Sequence, residues 1–70
     1  MSEYAVIYEQ AEDGGWGAYL PDLPGVVGLG ASRTEAEARI REALEAYAAD
    51  LRARGQALPP PHHQVGTVAT

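Results

Sequence analysis

The chain has 70 residues, no cysteine and a formal net charge of −5 at pH 7. This length predicts one domain, residues 1–70, and the lack of cysteine excludes disulfides and thiolate metal sites. Nucleic-acid binders cluster Lys and Arg, whereas this chain has only five basic residues, all arginines between positions 33 and 54. The acidic balance argues against DNA or RNA binding and suits a basic partner or ordinary solubility.

A domain of this size buries a marginal core and leans on disulfides, metals or oligomerisation. We therefore expect a homo-oligomer. No apolar run approaches the roughly 18 residues that span a bilayer, and the N-terminus lacks the basic start and apolar run of a signal peptide. These features predict a cytoplasmic protein without membrane contact.

Three short strands are predicted before the helix, at residues 3–10, 15–21 and 26–31, because these segments hold β-branched and aromatic residues between turn signals. Asp13-Gly14 predicts a hairpin between the first two strands. Pro24-Gly25 fits the central positions of a type II turn before the third strand. The glycines of the third strand indicate a bulge or the close approach of another backbone.

Alternation along the first strand places Tyr4, Val6 and Tyr8 on one face and Ala5 and Ile7 on the other. Both faces are therefore apolar, and the third strand has the same character. An antiparallel sheet with one face in water would alternate apolar and polar residues.

A helix is predicted over residues 33–54. Ser32 and Glu35 form a capping box at its start, and Gly55 is a typical residue to follow its end. Apolar residues at helical spacing define the face that packs on the sheet: Ala36, Ile40, Ala43, Leu44, Tyr47 and Leu51. A Pro-rich connector at 56–61 leads to a possible edge strand at 64–69.

The predicted fold is α+β, in the order β-β-β-α-β. A right-handed crossover places the fourth strand beside the first, which gives the spatial order 3-2-1-4. One long helix covers only one sheet face. Because the strands are apolar on both faces, we infer that the second face is buried against another protein.

Catalytic chemistry has little support in the sequence, and no cofactor, metal or catalytic residue is expected. Adjacent His62 and His63 in a Pro-led tail are expected to be solvated, since a metal site needs three or four converging ligands. Glu9, Asp13 and Asp22 could serve a minimal Mg²⁺-dependent nuclease. Turn chemistry explains the two aspartates better, and Asp22 is expected to cap its own corner.

Aromatic side chains are the candidates for an interface, where Trp and Tyr serve as anchors, although core packing explains them equally well. Two sets of interface residues are predicted, in which the acidic turn at Glu12-Asp13 contributes charge and the end of the long helix, at Tyr47 and Leu51, extends beyond the sheet. The set for partner binding is Trp16, Tyr19, Pro21, Asp22, Glu12 and Asp13. The set for an oligomer interface is Tyr4, Tyr8, Tyr47 and Leu51.

The segment GGWGAYLPDLPG at residues 14–25, followed by Gly30, Ser32 and Glu35-Ala36 at the start of a helix, resembles the N-terminal domain of HicB-type antitoxins. The resemblance runs from about Tyr4 to Leu51. It implies a partial RNase H-like fold, β-β-β-α-β, without catalytic activity. It also implies a protein that assembles as dimers or tetramers and binds and blocks HicA, a basic mRNA-cleaving toxin.

Members of this family usually carry a further C-terminal module that binds operator DNA. The chain stops soon after its helix, so this module is expected to be missing, and no DNA binding is expected from the chain alone. The alternative function is a stand-alone homo-oligomeric regulatory domain with an unidentified partner.

Overall fold

A computed structural model describes residues 3–70 and confirms the α+β class. The elements are β1 (Ile7–Gln10), β2 (Trp16–Tyr19), β3 (Val27–Gly30) and α1 (Arg33–Ala53). The three strands form one antiparallel sheet in the order β1-β2-β3. Helix α1 packs on one face of this sheet, mainly against β3.

The predicted strand order 3-2-1-4 is wrong, because the described residues form no fourth strand. Residues 64–69 lie outside any ladder and are exposed. Instead, the backbone and side chain of His63 bond to Asp22, between β2 and β3, so the tail is held at this corner. Val65 and Val68 are largely exposed and bury little apolar area that could hold a strand.

The strands are shorter than predicted, because each strand ends at the last residue that has a hydrogen-bonded partner on the neighbouring strand. Ile7 pairs with Tyr19, the last residue of β2, so residues 3–6 continue the chain without ladder partners. Pro21 has no N–H to donate and follows soon after β2.

The hairpin between β1 and β2 turns over residues 11–15. The N–H of Gly14 donates to the carbonyl of Ala11 at 2.9 Å, and Ala11 N–H donates to Gly15 O at 2.7 Å. Gly14 has φ +92°, in the left-handed region that glycine adopts without steric cost. The predicted hairpin is confirmed.

The corner between β2 and β3 consists of two consecutive tight turns. Three of its side chains also belong to the core. The N–H of Leu23 donates to Leu20 O, and the N–H of Val26 donates to Leu23 O, each at 3.1 Å. Gly25 has φ +96°, as the third residue of a type II turn requires. Leu20, Leu23 and Val26 are all buried, so the corner fixes the chain reversal through packing as well as hydrogen bonds.

Helix α1 has the predicted capping box. Ser32 is the N-cap, and its Oγ accepts a hydrogen bond from Glu35 N–H at 3.1 Å. The Glu35 carboxylate in turn accepts from Ala31 N–H at 3.0 Å, one residue earlier than a standard capping box. The helix ends at Ala53, and Gly55 follows with φ +73°.

Two glycines of β3 let the helix backbone contact the sheet. A Cβ added to Gly28 would lie 2.5 Å from Ile40 N and 2.8 Å from Ala36 O. A Cβ added to Gly30 would lie 2.7 Å from Ala36 N. The close approach predicted from these glycines is confirmed, and the approaching backbone is α1.

The main core cluster lies between the sheet and α1. Its buried cluster consists of Ala18, Leu20, Leu23, Val26, Ala36 and Ile40. Partly buried side chains from all parts of the chain pack against it: Tyr4, Val6, Tyr8, Trp16, Ala43, Leu44, Tyr47 and Leu58. The predicted helix face is thus confirmed, and Tyr4, Val6 and Tyr8, predicted to share one face, all pack against the core.

The opposite face of the sheet is apolar and uncovered by any part of residues 3–70. Ile7, Tyr19 and Val27 are aligned across the three strands and are 37%, 39% and 54% exposed. Leu29, in the next row, is 73% exposed. We call these four residues the outer sheet face. Its apolar character was predicted from strand alternation.

Candidate protein-interaction site

Charge is divided unevenly between the two sides of the fold. Helix α1 and its C-cap carry five arginines and five carboxylates, so this side is formally neutral. The net charge of −5 therefore comes from the part of the chain before the helix. The carboxylates there are Glu3, Glu9, Glu12, Asp13 and Asp22.

The arginines are also directed to the helix side. The Arg33 guanidinium lies 4.4 Å from the centre of the Tyr8 ring, which faces the core. Arg41 pairs with Glu37 at 3.0 Å along the helix. Within residues 3–70, the outer sheet face therefore borders carboxylates without a balancing basic side chain.

A hollow of about 400 Å³ lies beside the hairpin, at the edge of the outer sheet face. Glu9 and Asp13 supply its charge, and Leu29 supplies an apolar wall. One Asp13 oxygen, Oδ1, accepts from Gly15 N–H at 2.9 Å, which fixes the carboxylate at the rim. Glu12 lies next to it in the exposed turn.

The predicted partner-binding residues do not share one surface. Tyr19 lies on the outer sheet face, whereas Trp16 is partly buried against the core. Glu12 and Asp13 are exposed in the hairpin. Pro21 and Asp22 lie in the corner beyond the other end of β2 and are partly buried.

Asp22 is bound by the tail rather than by its own corner, so its predicted capping role is wrong. His63 Nδ1 lies 2.7 Å from Asp22 Oδ1, and His63 N–H donates to Asp22 Oδ2 at 3.2 Å. Because a carboxylate only accepts, the imidazole donates from Nδ1. The Asp22 side chain is only 4% exposed.

Hydrogen bonding sets the ionisation of Asp22. Burial raises the pKa of this carboxyl group, but the His63 side chain and the backbone N–H groups of His62 and His63 lower it by more. The net result is a pKa below the ordinary value of 3.8. The carboxylate form is therefore the form that the tail stabilises.

Residues 58–63 form what we call the tail strap. Leu58 packs against the core, and Tyr4 donates its hydroxyl hydrogen bond to the carbonyl of Pro59. His63 completes the attachment at Asp22. His63 is exposed, as expected of a solvated tail, but it is hydrogen-bonded to Asp22 rather than free. Two sequence features could have indicated this contact: Asp22 lies between two prolines, and the proline run at 59–61 leads directly to two histidines that can donate hydrogen bonds.

We expect Asp22→Asn to lower the urea midpoint of unfolding at neutral pH and to remove part of its acid dependence. A carboxyl group with a lowered folded-state pKa stabilises the fold above the unfolded-state value of about 3.9. This contribution disappears as the pH falls through the folded-state pKa. Urea melts of wild type and variant across acidic pH should therefore converge as the pH drops.

The matched control is Asp50→Asn, because Asp50 forms an exposed pair with Arg54 on the helix. Exposed pairs contribute little, typically below about 1 kcal/mol. Curves for wild type and Asp22→Asn that stay parallel down to acidic pH would contradict the assignment.

The residues predicted for an oligomer interface all lie on the helix side of the sheet. Tyr4 and Tyr8 line a groove of about 230 Å³ between β1 and α1. Tyr47 is partly buried against the core, and Leu51 is buried. The Glu37–Arg41 pair lies at the same groove.

The three carboxylates considered for a nuclease are not brought together. Asp13 precedes β2 and Asp22 follows it, so the two are separated by at least the length of a four-residue strand, about 13 Å. Asp22 is also engaged by His63. Within residues 3–70 no three His, Asp or Glu side chains converge as a metal site, and no helix has the length and apolarity to cross a membrane.

Comparison with known proteins gives a family for this fold. A model described as the HicB_like antitoxin of bacterial toxin-antitoxin systems matches residues 4–69. No solved structure gives a significant match.

Two curated relatives cover most of the chain. The UPF0150 protein ssl0738 of Synechocystis is 39% identical over 49 residues, which span 70% of this chain and 68% of the relative. The UPF0150 protein Ta0767 of Thermoplasma acidophilum is 35% identical over 57 residues, 81% of this chain and 83% of the relative. Since the family model covers nearly the whole sequence, the chain belongs to the HicB-like antitoxin family of bacterial toxin-antitoxin systems.

Proposed function

We propose that the chain is a protein-binding antitoxin module that binds and neutralises a HicA-like mRNA-cleaving toxin. The observation that carries the proposal is the concentration of the net negative charge outside the helix, beside an uncovered apolar sheet face, in a member of an antitoxin family. Because the proposed target cleaves mRNA, the proposed place of action is the cytoplasm.

The proposed mechanism is competition for a positively charged surface. A ribonuclease binds its polyanionic substrate through basic residues. An acidic protein that covers those residues excludes RNA, and complementary charge also accelerates encounter between the two proteins. This function needs shape and charge from the chain rather than catalysis.

The proposed contact residues are those predicted from the sequence, in two roles. Tyr19, Glu12 and Asp13 are exposed and would contact the toxin directly. Trp16 and Pro21 are partly buried and would support that surface from the core and the corner. Asp22 would contact a partner only after release from His63.

The test is inhibition of RNA cleavage by a HicA-family toxin encoded in the same genome. We expect the purified chain to form a complex that survives size-exclusion chromatography and to stop RNA cleavage at a stoichiometric ratio. A complex of this stability corresponds to a dissociation constant of about 1 μM or lower. Unchanged cleavage with excess chain and no complex would refute the proposal.

Self-association through the helix side is part of the proposal. This side is formally neutral, and the apolar groove at Tyr4 and Tyr8 has a paired Glu37–Arg41 at its rim. A second copy can therefore pack there without repulsion between like charges. Light scattering should give the mass of a dimer or tetramer, and a strict monomer would contradict this part.

The same groove favours the second candidate function, a stand-alone homo-oligomeric regulatory domain. The two candidates are separated by combining both measurements. An oligomer that neither binds nor inhibits the toxin would favour the second candidate over the first.

A further inference from the structure

We propose that the outer sheet face and the adjoining hairpin hollow together form the docking surface for the basic partner. The matching partner surface would present an apolar patch with an arginine or lysine beside it, and this basic side chain would enter the hollow. The inference rests on the proposed function and specifies which side of the chain binds.

The apolar part of this surface is continuous across all three strands. Register places Ile7, Tyr19 and Val27 in one row, and Glu9, Gly17 and Leu29 in the next. The second row thus has a carboxylate on β1 and an exposed leucine on β3. Burial of exposed apolar area of this kind is the main favourable term in protein association.

Gly17 opens the hollow between these two side chains. A Cβ added at Gly17 would lie 3.4 Å from Leu29 Cδ2, in ordinary contact, so a side chain at this position would occupy the space beside the leucine. Because Gly17 at the centre of this row has no side chain, a side chain from a partner protein can enter there. Glu9 and Asp13 lie at one side of that space.

The lining of the hollow fits a long basic side chain. Lys and Arg carry an apolar stem and a charged end, and the hollow offers Leu29 to the stem and two carboxylates to the charge. Among residues 3–70, neither Glu9 nor Asp13 forms an ion pair with a basic side chain. Both are therefore available to a cation supplied by a partner.

Charge also decides against a second copy on this surface. Two outer sheet faces packed together would bring the carboxylates of two copies into one interface without any arginine from the sheet side. Like charges placed together cost free energy in an interface. The neutral helix side is the better surface for a second copy, and the outer sheet face is left for a partner of opposite charge.

The experiment compares two variant pairs by calorimetric titration with the HicA-family toxin of the same genome. Leu29→Asp tests the apolar part, with Val68→Asp as its control, because these residues are 73% and 91% exposed and neither supports the core. Glu9→Arg tests the charged part. Glu45→Arg is its control, since Glu45 is exposed on α1 and the net charge changes equally.

We expect Leu29→Asp and Glu9→Arg to weaken toxin binding about tenfold or more, as substitutions at a central contact do, and both controls to bind as wild type does. The effect of Glu9→Arg should shrink as salt is added. Circular dichroism before titration confirms that each variant is folded.

The outcomes separate the two proposals. Toxin binding by wild type that both test variants retain overturns this inference and leaves the proposed function standing. Equal losses in test and control variants overturn the inference as well, because they reflect net charge rather than this surface. Loss of self-association in Leu29→Asp with toxin binding intact identifies a second copy as the occupant. Absence of binding by wild type refutes the proposed function itself.

Discussion

Gly28→Ala is expected to lower the free energy of unfolding by about 2–3 kcal/mol or more, as overpacking of a core does. The added methyl group would lie 2.5 Å from Ile40 N and 2.8 Å from Ala36 O. These are backbone atoms of α1, which cannot rotate away as a side chain can. A domain of this length has a total stability of only about 4–10 kcal/mol. Urea denaturation followed by circular dichroism should show a much lower midpoint or an unfolded chain.

Gly66→Ala is the control for this substitution. Gly66 lies in the tail, has no neighbouring atom within 4 Å of an added Cβ and does not adopt a positive φ. We expect no measurable change in the urea midpoint. A Gly28→Ala variant with wild-type stability would show that the helix does not rest on the β3 backbone.

Ile40→Ala is expected to lower the free energy of unfolding by about 2–4 kcal/mol, the range for removing a large aliphatic side chain from a core. Ile40 is 4% exposed and belongs to the buried cluster between the sheet and α1. The loss combines a cavity with lost burial of apolar area. Thermal and urea unfolding both measure it.

Val27→Ala provides the comparison on the other side of the sheet. Val27 faces outward and is 54% exposed, so its truncation should change the free energy of unfolding by less than about 0.5 kcal/mol. A large loss at Val27 under conditions where the chain is monomeric would indicate that the outer sheet face is covered in the folded chain.

Local sequence patterns correctly predicted the features that depend only on residues adjacent in the chain, namely the turns and the helix cap. The hairpin at Asp13-Gly14, the type II turn at Pro24-Gly25 and the capping box at Ser32 each depend on a few adjacent residues, and all three are present. The apolar character of both sheet faces follows from strand alternation alone. Its confirmation at Ile7 and Val27 shows how far periodicity can place side chains.

The tail was predicted wrongly because its position depends on one contact between distant residues. His63 and Asp22 are 41 residues apart, and no periodicity connects them. Residues 64–69 have the composition of a strand, and composition alone favoured an edge strand. Instead, the tail strap is held by Tyr4 and Asp22, and these contacts direct the chain to the corner between β2 and β3.

For the proposed interface, the sequence predicted the types of residue but not their arrangement in space. Aromatic and acidic residues pointed to protein binding. Alternation along β2 places Trp16 and Tyr19 on opposite faces, but it does not tell which of the two faces the helix covers. Leu29 and Glu9, which the proposed docking surface adds, are not among the partner-binding residues predicted from the sequence. Their position in one row across Gly17 follows from the register, which requires the strand pairing to be known.

The position of Trp16 has a practical consequence, because it is the one tryptophan of the chain. The indole packs against the core on the helix side of the sheet, away from the outer sheet face. Its intrinsic fluorescence should therefore shift to longer wavelength when the chain unfolds and should change little when a protein covers the outer sheet face. Unfolding can then be followed on the unlabelled chain independently of complex formation.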